Sequence, residues 1–462
     1  MVRLFDTATG TVRPLELRDP GHASLYACGL TVYELPHIGH GRGWLVFDVL
    51  RRYLTFDGLK VHHVSNVTDI DDHIIERAGR EGRTEPEVAA EFEAAWWSAS
   101  DALGVLRPDD IPHATAYIDD MVTLVSDLLE RDVAYRTSTG VYLDVTKVPD
   151  YGLLGHQPIE ERRSGARVEV DTEKRSPKDF VVWKGAKPGE PTWDAPFGEG
   201  RPGWHTECVV MSLDLLGDGF DLHGGGQDLR FPHHENERAQ AVAQGRPFAR
   251  HWVHHGWVMA GRDKMSKSLG NFTTVADLLA TSDPRAYRLL VLRSQYRSQI
   301  DVTPDTSVDA EKALDRLDRL AQRFGLDGPR DLGRAAVPAS ASEGLVAEVV
   351  DRFRASMDDD LDTPGALAGL FDAATRAHAL ADAGDTEAGQ ALARTVATLC
   401  GVLGLELSAG LGELDDATRA QVDERDAARA AGDYPRSDAI RDELVTHGWI
   451  VEDGPSGTTL RR

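Results

Sequence analysis

The feature that most constrains this chain is a repeated alternation of a short apolar run, a glycine-rich turn and an amphipathic helix. Leu25–Cys28 is short and apolar, and Gly29, Pro36, Gly39, Gly41 and Gly43 punctuate the next stretch. From Trp44 onward, apolar side chains at positions 45, 46, 49, 50 and 53 fall at helical spacing. The pattern recurs where Val61 and Val64 open a second apolar run, with Ile70, Ile74 and Ile75 behind it. A third copy, turning at Gly224–Gly226, lies in FDLHGGGQDLRFPHHENERAQAVA. This order predicts an α/β fold built on a Rossmann-like, doubly wound parallel sheet, because adjacent parallel strands need a crossover and a helix is its usual form.

The rest of the chain reads differently. Residues of about 85–135 look helical, Gly140–Val145 reads as a strand, and the text to about 200 is loop-rich and charged, as in an insertion. Residues 308–326 and 344–405 are rich in alanine and leucine at helical spacing, which predicts an α-helical bundle. From about 416, two helical pieces broken at Gly432 and Pro435 precede a hairpin turned at Gly454–Gly457. The expected organisation is a catalytic domain at 1–305, a helical bundle at 306–408 and a small unit at 409–462. Within the first, an insertion spans about 110–200 and a lysine/serine loop region about 250–305.

Composition narrows the class. No run approaches the ~18 apolar residues of a membrane span, and the N-terminus lacks the apolar core of a secretory signal. No membrane partner is expected, and the expected compartment is cytoplasmic. The three cysteines, Cys28, Cys208 and Cys400, cannot form a disulfide framework, so a metal site is the more natural use for a thiol here. A net charge of −25 argues against non-specific nucleic-acid binding but leaves room for one shaped RNA surface.

Three groups of residues carry chemistry. His37-Ile38-Gly39-His40 stands between a strand and a helix N-terminus, where two imidazoles and a close backbone suit a phosphate. Far downstream, Lys264-Met265-Ser266-Lys267-Ser268 presents two lysines three apart, suited to a departing diphosphate. Either loop alone reads as an ordinary polar turn. Together, in this order, they are the paired signature of class I aminoacyl-tRNA synthetases. The third group is Cys28, Cys208, His233 and Glu237, the last two sharing a helical face. From the residues alone these are either a tetrahedral zinc site or two buried thiols beside a solvent-facing His–Glu pair. Asp228, after the glycine run, is either part of a plain tight turn or a partner for an ammonium or ribose group. Trp204 is either core packing or a pocket wall.

At this point the chain is seen to resemble the cysteinyl-tRNA synthetase family over nearly its whole length. The matching text is CGLTVYELPHIGH, VSNVTDIDDHIIERA, GARVEV, DFVVWKGAKPGEPTWDAPFGEGRPGWHTEC, FDLHGGGQDLRFPHHENE, KMSKSLGNF and ERDAARAAGDYPRSDAIRDEL. The resemblance implies one zinc ion per chain on Cys28, Cys208, His233 and Glu237. It implies ATP, with Mg²⁺, on His37, Gly39, His40, Lys264, Ser266, Lys267 and Ser268, with His37, His40, Lys264 and Lys267 catalytic. Gly29, Thr31, Thr68, Trp204, His223 and Asp228 would surround the amino acid. The implied partners are L-cysteine, ATP and tRNA(Cys), and the implied state is a monomer. The tail would be an anticodon-binding unit, with Arg425, Arg429, Arg436 and Arg441 as RNA contacts; among so many acids those arginines otherwise read as a salt-bridged face. A zinc–thiolate bond separates cysteine from serine in one binding step, so no editing domain is needed, and none is visible.

The text departs from the family at Leu30, Glu34 and His73 near the site, and at Leu460, where a tryptophan is common. Two rival readings stand beside the synthetase: a mycothiol-type ligase joining cysteine to an amino sugar, and a non-catalytic RNA-binding paralogue. Asn236-Glu237, His223 and the C-terminal unit argue against the first, and His37/His40 with Lys264/Lys267 against the second.

Overall fold

In the computed structural model, β3 (His22–Ala27) is the strand from which the rest of the site is hung; it comes after a hairpin of β1 (Arg3–Asp6) and β2 (Thr11–Pro14). The structure describes residues 1–156, 173–260, 263–264, 273–326, 344–408, 416–447, 449–454 and 457–461. After β3 come β4 (Leu30–Thr31), α1 (Ile38–Phe56), β5 (Lys60–Val64), β6 (Val67–Thr68), α2 (Asp72–Glu81), α3 (Glu85–Ala102) and α4 (Ile118–Glu130). An antiparallel group is next: β7 (Ala134–Thr137), β8 (Gly140–Leu143), β9 (Phe180–Gly185) and β10 (Gly200–Pro202). Then the chain returns through α5 (Trp204–Leu215), β11 (Leu222–Gly226), α6 (Glu235–Ala243) and β12 (His251–His255).

β12, β11, β3 and β5 form one parallel sheet in that order, as the alternation of apolar runs and helices predicts. From β3 the connection through α1 leads outward to β5, and from β11 the connection through α6 leads outward the other way to β12. The strand order therefore reverses between β3 and β11, and a crevice opens at their C-terminal ends, where α/β sheets bind ligands. Cys28 and the Gly224–Gly226 run lie at that edge. β3 is buried from Ala23 to Ala27 and β11 throughout, as expected of strands covered on both faces.

α1 starts at Ile38, well ahead of the Trp44 start the spacing predicts. Gly39, Gly41 and Gly43 read as loop because glycine costs a helix about 1 kcal/mol, yet here they lie inside it. A Cβ on Gly43 would sit 2.8 Å from Nε2 of His255, so a bare backbone is what lets the helix lie against β12. The same holds more severely at Gly224, whose Cβ would lie 2.1 Å from Cε1 of the buried Phe47. Gly224→Ala should therefore destabilise the protein by about 1–3 kcal/mol through overpacking. Urea unfolding measures this, and a variant as stable as the parent would show that Phe47 yields freely.

The region of about 146–200, read as loop, contributes two strands of the antiparallel sheet, ordered β10-β9-β8-β7. GARVEV lies outside the described residues. Beyond β12, β13 (Val258–Ala260) pairs with β14 (Asp263–Lys264) and with β15 (Ile300–Asp301), the last reached after α7 (Val275–Leu279) and α8 (Pro284–Leu292).

The chain divides into two compact units, one of Met1–Ala310 with Asp351–Leu367 and Val402–Gly404, the other of Glu311–Val350, Ala368–Gly401 and Leu405–Arg462. Four helices span the region read as a bundle: α9 (Pro304–Phe324), α10 (Leu345–Asp358), α11 (Thr363–Asp382) and α12 (Thr386–Val402). Cys400 on α12 is fully buried, and burial followed by the nearby Asp318 pushes its thiol up to about 12, so it packs as a small hydrophobe. α13 (Asp416–Ala430) and α14 (Tyr434–Thr446) precede the hairpin of β16 (Ile450–Gly454) and β17 (Gly457–Arg461), which pairs Gly454 with Gly457. Pro435 does not break a helix but opens α14, where its missing N–H costs nothing. Leu460 is buried with Ile440, Leu444 and Val451, so the tryptophan it replaces is not needed to close this small core.

One RNA contact read from the sequence is corrected here. Arg425 is buried, and its guanidinium donates to Oγ1 of Thr458, holding α13 to the hairpin instead of facing solvent. Arg441 is exposed, Arg429 partly so, and Arg436 is half-exposed while paired with Glu424 at 2.7 Å.

Candidate functional site

His37 is the N-cap of α1, and its partner in a reciprocal capping box is His40. Nδ1 of His37 accepts from the His40 backbone N–H, and Nδ1 of His40 accepts from that of His37, both at 3.2 Å. The rings stack with centroids 3.5 Å apart. Because each Nδ1 is an acceptor, each neutral ring carries its proton on Nε2. Burial, then the neighbouring His37 and His255, holds His40 well below the usual histidine range. His40 is thus a neutral N–H donor at the positive end of a 19-residue helix, an arrangement suited to phosphate oxygens.

The backbone beyond the lysine loop is tied to this cap. The Ile38 N–H donates to the Thr273 carbonyl at 3.1 Å and the Val275 N–H to the Pro36 carbonyl at 2.9 Å, around a bridge between His37 and Thr274. The backbone of Lys264 lies on β14 opposite Met259. Ser266, Lys267 and Ser268 lie outside the described residues.

Across the crevice the sheet and two helices bring four donors together. Cys28 is just past β3, Cys208 comes from α5, His233 from the turn before α6, and Glu237 from α6 itself. One donor atom from each lies within 4.8 Å of all the others. The two Sγ atoms are 3.8 Å apart, far beyond a disulfide bond. Two thiolates each bound at about 2.3 Å on a tetrahedral ion would stand about 3.8 Å apart, so the spacing fits zinc. Sγ of Cys208 is 3.7 Å from Nε2 of His233, Sγ of Cys28 is 3.6 Å from Oε1 of Glu237, and that oxygen is 3.0 Å from Nε2 of His233.

Without an ion, the buried negative charge of the set is matched by His233, whose imidazole is raised to about 10, against burial, by Glu237 and then Cys208. The Cys28 hydrogen bond draws the Cys208 thiol down to about 6, against its burial, while burial and then Cys208 push Cys28 well up. Burial would raise Glu237, but His223 and His233 outweigh it and hold the carboxyl well below its usual range. Buried negative charge of this kind is stable only when paired. Outer groups fix the donors: Nδ1 of His233 contacts Nδ1 of His205 at 2.8 Å, and Nε2 of His223 contacts Oε2 of Glu237 at 2.7 Å.

A cavity of about 500 Å³ joins the two loci. Cys28, Gly29, Thr31, His37, Gly39, His40, Trp204 and Asp228 all line it. The indole of Trp204 also stacks on the His233 ring at 4.1 Å, so it is a wall that steadies a donor rather than core packing. Leu30, Glu34 and His73, where the text departs from the family, border the cavity, with His73 stacked on Tyr33 at 4.9 Å. Two residues assigned to the amino acid are placed elsewhere. His223 is fully buried behind Glu237, and Thr68 is buried with its hydroxyl donating to Glu207 at 2.6 Å; neither lines the cavity. Conversely, His255, Trp257, Trp44 and Trp96 line the cavity and had no signal in the sequence, where Trp44 and Trp96 fall in helical stretches and His255 and Trp257 in the lysine/serine loop region.

The fold and the paired loops define the class. Residues 14–312 match the family described as tRNA synthetases class I (C) catalytic domain, and residues 352–408 match the DALR domain. Among solved structures, the chain is similar to Mycobacterium tuberculosis methionyl-tRNA synthetase in complex with methionyl-adenylate, with a TM-score of 0.59, 15% identity, and coverage of 84% of this chain and 90% of that one. It is similar as well to a putative arginyl-tRNA synthetase from Campylobacter jejuni, with a TM-score of 0.54, 15% identity, and coverage of 86% and 95%. At that identity the likeness concerns the fold alone. Curated relatives narrow the class: the cysteine–tRNA ligase of Alkalilimnicola ehrlichii is 45% identical and that of Sodalis glossinidius 44%, each aligned over 100% of both chains. The chain belongs to the cysteine–tRNA ligase family. No helix among the described residues is long and apolar enough to cross a membrane.

Proposed function

We propose that the protein is a cysteine–tRNA ligase that couples ATP to the activation of L-cysteine and transfers the cysteinyl group to the 3′ end of tRNA(Cys), with one zinc ion per chain selecting the thiol. The observation that carries the zinc reading is the Cys28/Cys208/His233/Glu237 set, whose spacing and buried negative charge suit a tetrahedral dication beside the crevice. When bound, zinc supplies a soft partner for the substrate thiolate that the hydroxyl of serine cannot match.

The protein's own groups position and neutralise. Asp228 receives the substrate ammonium or the ribose, and Trp204 walls the side chain. The Nε2–H groups of His37 and His40 donate to ATP phosphates that arrive with Mg²⁺, with Gly39, Ser266 and Ser268 close by. The substrate carboxylate attacks the α-phosphorus, the bond to diphosphate breaks, and Lys264 and Lys267 stabilise the departing charge. A ribose hydroxyl of the tRNA then attacks the acyl carbon and AMP leaves. Gly29 and Thr31 border the cysteine; His223 and Thr68 support it indirectly. On this reading residues 1–305 are the catalytic domain, 306–408 the helical bundle and 409–462 the anticodon-binding unit, where Arg429, Arg436 and Arg441 meet RNA. The protein acts as a cytoplasmic monomer.

The test is charging of tRNA with radiolabelled cysteine by purified protein. Label should precipitate with tRNA, and Lys267→Ala should lower cysteine-dependent diphosphate exchange by about 10²–10³-fold, the usual cost of removing a group that binds developing charge. Exchange without labelled tRNA would instead mean that the acceptor is a small amine, and no exchange at all would favour a non-catalytic RNA-binding role.

A further inference from the structure

The cavity does not end at the two substrate loci. Asp48 and Trp44, which line it, lie on α1 beyond the cap; Asp48 is two turns past His40, about 12 Å along the axis at about 1.5 Å per residue. This inner end is walled by residues with no part in the ligase reading: His63 from β5, Ser65 just after it, Trp96 and Ser100 from α3, and Leu106. Trp44 and Trp96 stack there with centroids 5.7 Å apart.

Three buried polar atoms of this wall are without partners among the described residues. His63 is 7% exposed and Trp96 3%, yet among the described residues neither ring nitrogen of His63 nor Nε1 of Trp96 has a hydrogen-bond partner. A buried polar atom left in that state costs about 1–3 kcal/mol, so three within one wall call for an occupant. Burial, and then the Arg51 cation, brings His63 down to about 4, so near neutrality it offers one donor and one acceptor. Trp96 adds a donor, and Ser65 and Ser100 add hydroxyls.

The charges nearby are already matched. Asp48 accepts from Arg52 and Arg288, and Arg51 donates to Asp109 and to the Arg107 carbonyl. Among the described residues of this wall no unpaired cation is left to draw a phosphate or a carboxylate. Flat aromatic surfaces with a neutral donor–acceptor pair suit a flat, neutral partner.

We infer that the inner end of the cavity is a second binding site, separate from those for cysteine and ATP, for a small uncharged heteroaromatic molecule bearing both a hydrogen-bond donor and an acceptor. His63 and Trp96 read its polar edge, and Trp44 and Leu106 cover its apolar surface. Occupancy is independent of turnover, so the site does not stand or fall with the ligase reading.

The probe is benzimidazole, titrated into the full chain and followed by tryptophan fluorescence and calorimetry. Saturable binding with one probe per chain is expected, persisting at saturating cysteine and a non-hydrolysable ATP analogue. His63→Phe keeps the ring and removes both polar atoms, and should weaken binding at least about tenfold. Trp96→Phe removes one donor and should weaken it less; it also serves if the first variant does not fold, as judged by its thermal midpoint. Indole, which has no acceptor, should bind more weakly than benzimidazole. No saturable binding, affinity unchanged in both variants, or complete displacement by the ATP analogue would each overturn the inference.

Discussion

Cys208→Ser should strip the protein of near-stoichiometric zinc and lower cysteine-dependent diphosphate exchange by at least about 100-fold. Loss of an outer partner of a metal ligand alone costs about 10–100-fold, and this change removes a ligand. The hydroxyl is a harder donor than a thiolate and stays protonated near neutrality, so it cannot replace the charge that Cys208 supplies with its thiol drawn down to about 6. Cys28, His233 and Glu237 would remain buried around a weaker site. The selectivity should fall along with the rate, because nothing else in the cavity wall distinguishes sulfur from oxygen so sharply. Metal analysis of the purified variant, with exchange measured against cysteine and serine in parallel, reads both effects. Full zinc content together with an unaltered preference for cysteine would dispose of the zinc reading and leave the adenylation chemistry standing.

Asp48→Asn should be the most destabilising single change on α1. Asp48 is fully buried; Oδ2 accepts from Nη1 of Arg288 at 2.6 Å and from Nε of Arg52 at 2.8 Å, and Oδ1 accepts from the Leu106 N–H at 2.9 Å. Arg288 is itself buried and reaches the carbonyls of Leu103 and Gly104 as well. An asparagine keeps the shape and removes the charge, leaving a buried guanidinium uncompensated, for which about 3–5 kcal/mol is the usual cost. Urea unfolding of the two proteins measures it, and a loss under about 1 kcal/mol would show that Arg52 or water absorbs the change. The parent carries a matching pH signature. Burial would raise the Asp48 carboxyl, but Arg288 and Arg52 hold it below its ordinary value. A depressed folded value means stability that is present above the unfolded pKa, near 4, and is lost as pH falls through the folded value. The gap in stability between parent and variant should therefore narrow in acid.

What the sequence made legible was whatever local spacing reports. The apolar runs of β3, β5 and β11 and the helical stripes behind them gave the parallel sheet, and the one-turn separation of His233 and Glu237 gave half of the metal set. Cys28 and Cys208 joined it as one of two open readings, a zinc site or two buried thiols, and only the family resemblance favoured the first, since no spacing rule joins residues on different strands and helices. The start of α1 was misread because glycines kept for close packing look like glycines kept for turning. β9 and β10 were missed because two short strands among prolines and charges leave little periodicity. Arg425 and Thr68 failed for a common reason: a polar residue type tells what a side chain can bind, and only the fold tells what already binds it. His63 and Trp96 belong to the same category in reverse, ordinary core residues by type, left without partners by their surroundings.

The hydrogen bonds from Ile38 to Thr273 and from Val275 to Pro36 have a kinetic meaning. They fasten the chain leaving the lysine loop directly to the imidazole cap, while Lys264 at its other end is held by a sheet. Two segments remote in sequence are thereby tethered at short range, and their encounter is intramolecular at a high effective concentration. On the proposed reading, the entropy of bringing these two segments together is lost once, when the chain folds, and not again at each arrival of nucleotide.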